Sequence, residues 1–214
     1  MEFIAKSEGN TSIPKLENGV YTAISSMMID IGAQKSVLDN NIRRKFIMVW
    51  NVVGEFIEVN KEKLPRVMSK EYTLSLNEKS NLRKDLQAWR GQAFTEEELQ
   101  GFDILNVMNK PCQLQIINEE KNGKTYNNIS AIMAMPKGMT VSTLDEITIF
   151  ITNNAETWQN WEKIPKWIQD KIKKSEGYEN SDLKKYVDDY EKMTEKSNIT
   201  ETDEVIAPDD DLPF

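Results

Sequence analysis

Histidine is absent from the 214 residues, and cysteine occurs once, at Cys112. The first absence removes the commonest general base, the commonest zinc ligand and every Ser-His-Asp or Cys-His arrangement. The second rules out a disulfide framework and points to a reducing, cytoplasmic setting. No CxxC pair and no glycine-rich phosphate loop occurs, and no DxD or ExxE spacing belongs to an organised acid cluster. No stretch approaches the roughly 18 apolar residues of a membrane helix, and MEFIAKSEGN lacks the basic and apolar regions of a secretory signal. The expectation is a chain without catalytic residues, metal, cofactor or membrane contact.

What is present is unevenly distributed. The formal net charge is −8, but residues 176–214 hold thirteen of the 35 acids and only four of the 27 bases. That segment carries −9, which leaves the preceding residues at +1. An acidic C-terminal tail of this kind is often an interaction segment, and a near-neutral body is free to meet a polyanion.

The body reads as strands. Gly19 to Gln34 and Arg43 to Val59 are long β-branched and apolar runs, joined by a loop over Ser36–Asn41. Gly54 inside the second predicts a bulge or sharp bend. From Pro65 to Leu76, Met68, Tyr72, Leu74 and Leu76 share one face. A helix over about Glu78 to Arg90 follows, with Leu82, Leu86 and Trp89 as its apolar stripe and Gly91 as its stop. Thr95 to Glu98 reads as the capping box of a short helix. Strands over Cys112–Asn118 and Thr125–Met135 flank Asn122-Gly123, a strong hairpin turn. Three strands, a helix and a hairpin of two more are the element order of the OB-fold, a five-stranded Greek-key barrel.

Past Pro136 come a short apolar run (Ile147 to Ile151), a helix from near Pro165 to near Gly177, and an amphipathic helix capped by Ser181. Lys196 to Pro208 offers nothing to bury and predicts a disordered linker. The expected organisation is an N-terminal arm (1–14), a mainly β OB barrel (15–136), a helical extension (137–196) and a disordered acidic tail (197–214).

A single-strand binder needs aromatic faces for bases beside cations for phosphates. In the second strand Arg44, Phe46, Met48 and Trp50 point one way, and Ile47, Val49 and Val53 the other. Phe46 and Trp50 with Arg44 fit a binding face, and the same spacing fits a core face. In the fifth strand Ile129, Ala131 and Met133 read as core, which puts Tyr126 and Asn128 on the opposite face. The expected nucleic-acid contacts are Arg43, Arg44, Phe46, Trp50, Lys70, Lys121, Lys124, Tyr126 and Asn128. Trp89 reads as core, Cys112 as an inert core thiol, and Trp158, Trp161 and Trp167 as packing the last helix onto the barrel.

Two stretches resemble known families. Asp209-Asp210-Asp211-Leu212-Pro213-Phe214 is similar to the acidic tip of bacterial single-stranded DNA-binding proteins, with leucine where isoleucine is usual. Lys70 to Leu76, the helix Lys79 to Arg90, Ala93 to Asp103, Glu120 to Tyr126, and Ile164 to Ile168 with Lys171 to Ser175 resemble a family of OB-fold single-stranded DNA-binding or replication proteins. That family occurs in phages and prophages of low-GC Gram-positive bacteria. The resemblance implies a protein of the bacterial host cytoplasm that coats single-stranded DNA. The extension to about residue 196 is expected either to pack on the barrel or to aid self-association. It implies that Asp209, Asp210, Asp211, Leu212, Pro213 and Phe214 recruit replication, recombination and repair proteins. The alternative is an adaptor whose barrel binds protein and whose tip engages host machinery without DNA.

Overall fold

A computed structural model describes the backbone of residues 14–36, 39–59 and 61–203, and the side chains of these except Val59 and residues 196–203. The protein is mainly β. Strands β1 (Gly19–Lys35), β2 (Ile42–Val59), β3 (Glu62–Thr73), β4 (Pro111–Lys121) and β5 (Lys124–Met133) form an antiparallel sheet in the order β3-β2-β1-β4-β5. A short β6 (Thr148–Phe150) pairs with β1. The chain divides into two compact units, Met1–Met28 with Ile47–Ile147, and Ile29–Phe46 with Thr148–Phe214. Of the three boundaries, those after Met28 and Phe46 fall inside the long strands β1 and β2, and the third falls just before β6. No helix among the described residues is long and apolar enough to cross a membrane.

In the first unit the order of three strands, helix, then two strands is found as expected. Helix α1 (Asn81–Arg90) starts where Ser80 Oγ accepts from Arg83 N at 3.1 Å, and it stops at Gly91, whose φ of 68° suits a residue without a Cβ. Its buried stripe, Leu82, Leu86 and Trp89, is the stripe read from the sequence. The rings of Trp89 and Trp50 lie 5.9 Å apart, and Trp89 Nε1 donates to the Pro111 carbonyl at 2.9 Å. One indole thereby ties helix, second strand and fourth strand together, and burying such a side chain stabilises the unit by roughly 2–3 kcal/mol. The capping box of α2 (Glu96–Gln100) also forms, with Glu98 N on Thr95 Oγ1 at 3.2 Å and Thr95 N on Glu98 Oε2 at 2.9 Å. Cys112 is buried, and burial pushes its thiol well up.

The sheet of this unit curls. Arg66 on β3 donates from Nη2 to Asn127 Oδ1 on β5 at 3.1 Å, although these strands stand at opposite ends of the strand order. Two glycines shape the strands. Gly54 sits in β2 at φ 80° and bends it. Asn122 and Gly123, at φ 53° and 71°, make the two-residue turn between β4 and β5, with Lys121 paired to Lys124. The core face of β5 differs from expectation. A bulge opposite Gln115/Ile116 leaves Ser130 outside the pairing, so the inward side switches parity. Ile129 and Ile132 are buried, while Ala131 and Met133 are only half-buried.

The second unit is organised around Asp30. Its carboxylate accepts from Arg44 Nη2 at 2.7 Å, from Thr152 N at 3.0 Å, from Thr152 Oγ1 at 2.5 Å and from Gly32 N at 3.0 Å. Phe150 and Trp161 pack with ring centres 5.7 Å apart, beside buried Ile168 and Ile172 of α3 (Lys166–Lys173) and Leu183 and Val187 of α4 (Asp182–Asp203). Ser181 Oγ caps α4 by accepting from Lys184 N at 3.2 Å. Trp158 packs on Tyr186 at 5.6 Å, but Trp167 is exposed, with Lys171 Nζ 5.8 Å from its ring centre. The linker expected from Lys196 is corrected in part. The backbone of α4 continues to Asp203, since adding a residue to an existing helix is far easier than starting one. Residues 204–214, and with them the six tip residues Asp209 to Phe214, lie outside the described residues.

Candidate nucleic-acid interface

Two of the expected aromatics belong to the core. Phe46 is 3 % exposed and Trp50 is 1 % exposed, so neither offers a face to a base. The strand is buried continuously from Phe46 to Trp50, because both of its sides are covered there. Alternation along a strand distinguishes two faces without saying that one of them meets water. Trp50 Nε1 has no partner among the described residues, a cost of about 1–3 kcal/mol that its packing offsets.

Three expected cations are engaged in ion pairs. Lys70 Nζ lies 2.7 Å from Asp85 Oδ2, which also accepts from the Tyr72 hydroxyl at 2.7 Å. Burial, reinforced by the Asp85 charge, pushes the Tyr72 hydroxyl far above its ordinary range. Arg43 grips Asp39 with both terminal nitrogens, at 2.9 and 2.5 Å, and holds that carboxyl far below the usual range. Arg44 is committed to Asp30 and to Asn153 Oδ1 at 2.9 Å. Arg43, Arg44 and Phe46 belong to the second unit, whereas Trp50, Lys70, Lys121, Lys124, Tyr126 and Asn128 belong to the first.

The β4–β5 hairpin does gather exposed candidates. Every residue from Asn118 to Tyr126 is exposed, so the hairpin runs past the core as a two-stranded ribbon. Tyr126 is 45 % exposed, and Lys121 faces Lys124 directly across the turn. Like charges opposed on a ribbon destabilise it slightly. An anion at the tip would relieve them. Asn128 is less free than expected, since its Nδ2 donates to Glu119 Oε2 at 2.6 Å.

A second ribbon was not anticipated. Beyond Gly54, β2 and β3 also leave the core, and Phe56 is 52 % exposed with Lys63 Nζ 4.3 Å above its ring centre. Val53, Leu64 and Val67 are exposed on the same hairpin, and no Cβ contact crowds Gly54. The signal lay in Gly-Glu-Phe-Ile-Glu-Val, Gly54 to Val59: an aromatic just beyond a bend, where a strand outruns its core. At the base the ribbons meet through the Arg66–Asn127 bond. The arrangement therefore offers two exposed rings, Phe56 and Tyr126, each on a ribbon that also bears lysines. An aromatic face beside a cation suits stacked bases with neighbouring phosphates.

Comparison with protein-family models and with curated proteins finds no match for this chain.

Proposed function

We propose that this chain binds single-stranded nucleic acid, DNA foremost, along the two ribbons of its first unit. The observation that carries the reading is the pair of exposed aromatic–lysine ribbons tied at their base by Arg66 and Asn127. On this reading Phe56 and Tyr126 stack bases, while Lys63, Lys121 and Lys124 meet phosphates. Stacking contributes about 1–3 kcal/mol per base, and lysine contacts make the affinity salt-dependent. The curled sheet is read as a five-stranded OB barrel. The strand order supports this, because β3-β2-β1-β4-β5 becomes a closed ring once β3 approaches β5, with α1 between β3 and β4 in sequence. The role that fits is protection of single strands during phage DNA replication and recombination. The hexapeptide Asp209 to Phe214 would recruit replication and repair proteins of host or phage, the Phe214 ring entering an apolar pocket on the partner and the aspartates meeting its basic rim.

The test is titration of fluorescent oligo-dT and oligo-U across a salt series. Submicromolar binding of oligo-dT at low salt, weakening steeply with salt, is expected. A second reading has one observation in its favour: Val53, Leu64 and Val67 are exposed apolar residues that also suit a protein surface. If neither oligonucleotide binds at low salt, the adaptor reading takes its place.

A further inference from the structure

Arg66 has a charge without a counter-charge. The residue is 8 % exposed, and among the described residues no carboxylate lies within ion-pair reach of its guanidinium. Nη2 donates to Asn127 Oδ1, and Nε donates to nothing described. The network around that contact is neutral. Asn127 Oδ1 also accepts from Leu16 N at 2.9 Å, and its Nδ2 donates to Leu16 O at 2.9 Å and Asn118 Oδ1 at 2.5 Å. Asn118 is in turn held by the Asn18 side chain, its N donating to Asn18 Oδ1 at 2.6 Å. All four hydrogen-bonding positions of the Asn127 amide are therefore used, and none supplies a negative charge. A guanidinium cannot escape burial by losing its proton, and a buried charge without an opposite one is strongly unfavourable. A methionine or leucine would fill the position without that penalty. The location supplies the reason for the charge: Arg66 lies where the Phe56/Lys63 ribbon and the Lys121/Lys124/Tyr126 ribbon join.

We propose that Arg66 receives a backbone phosphate of the bound single strand at the junction of the two ribbons. This deepens the proposed function and rests on it. The chemistry is that of a phosphate oxygen accepting from a guanidinium, a charge-assisted contact stronger than a neutral hydrogen bond. Phosphate rather than a lone carboxylate is favoured because aromatic rings and lysines stand on either side, and only a nucleic acid strand brings anions and bases together.

The full chain carrying R66M or R66K, and the wild type, would be titrated with fluorescent oligo-dT between 50 and 300 mM salt. Thermal unfolding in buffer free of phosphate and sulfate would be followed alongside. R66M is expected to melt at or above the wild-type temperature, to bind roughly tenfold more weakly, and to lose about 0.7 from the slope of log K against log salt. R66K, which keeps the charge, is expected to keep that slope. An R66M protein that unfolds, or that melts well below wild type with unchanged affinity and slope, would overturn the inference by making Arg66 a structural tie. A third arm adds inorganic phosphate: if it raises the wild-type but not the R66M melting temperature while R66M binds oligo-dT normally, the anion is free phosphate and the strand is excluded as its source. Equal oligo-dT binding by wild type and R66M overturns this inference alone. Failure of the wild type to bind any oligonucleotide overturns the reading on which it rests.

Discussion

Trp50 and Phe56 lie six residues apart on one strand and have opposite roles. Trp50 is enclosed among Met48, Leu82, Leu86, Trp89 and Ile132 in the core, while Phe56 stands in solvent under the Lys63 ammonium. Truncating Trp50 to alanine is therefore expected to remove about 3–5 kcal/mol of stability, as measured by urea unfolding. F56A and Y126A are expected to leave the melting curve nearly unchanged and to weaken oligo-dT binding by about 1–3 kcal/mol each. Asp30 gives a prediction in pH. Burial by itself raises its carboxyl, but the Arg44 guanidinium, the Thr152 hydroxyl and the backbone N–H groups of Gly32 and Thr152 outweigh burial and hold it below the ordinary value of 3.8. A carboxyl with a depressed folded-state pKa stabilises the fold fully above its unfolded value and ceases to do so as pH falls through the folded value. D30N is thus expected to be about 1–3 kcal/mol less stable than wild type at pH 7. That gap should close as urea-unfolding curves are repeated from pH 4 downward. A constant gap across that range would remove Asp30 from its place as an ionised hub. In the sequence Asp30 was the one charged residue between Gly19 and Gln34; its partners at positions 44 and 152 are brought to it only by folding.

At the scale of elements, the ribbons are where strands outlast the core. Local chemistry marks their ends plainly: Asn122-Gly123 forms the turn it predicts, Gly54 bends β2, and Ser80 and Gly91 bound α1. The helix stripe of Leu82, Leu86 and Trp89 was legible for the same reason, because a period of 3.6 selects one face over all others. The faces of the strands were less legible. A period of two survives whether one side, both sides or neither is covered, so Phe46 and Trp50 were indistinguishable from a binding face. A single bulge at Ser130 shifted the inward side of β5 from Ala131 and Met133 to Ile132. The exposed lysine pair at the β4–β5 tip is testable at this scale. The double variant K121Q/K124Q is expected to melt at the wild-type temperature or slightly higher, because the opposed charges are gone. Its oligo-dT binding should lose about 1.4 from the salt slope, roughly 0.7 for each contact. An unchanged slope would mean that the tip does not meet the strand.

For the whole molecule the governing feature is the separation of charge along the chain. Residues 176–214 carry −9 and the rest +1, an asymmetry that the overall −8 conceals and that the sequence displays without any structure. If the ribbons bind a single strand as proposed, acids held on the same chain would compete with its phosphates for their lysines, most strongly at low salt where screening is weak. Deletion of Asp209 to Phe214 is therefore expected to leave oligo-dT affinity equal or slightly higher at 50 mM salt, with the difference fading by 300 mM. A large loss of affinity would make the hexapeptide part of the DNA contact instead of a partner-recruiting tip. The measurement that bears most directly on the central claim is equilibrium titration of fluorescent oligo-dT with wild type and the F56A/Y126A double variant, both shown to be folded by their melting curves. Binding by wild type with a loss of about 2–6 kcal/mol in the double variant is the expected result, two stacked bases at the usual increment each. Equal affinity of the two folded proteins would contradict it and take the ribbons out of the account.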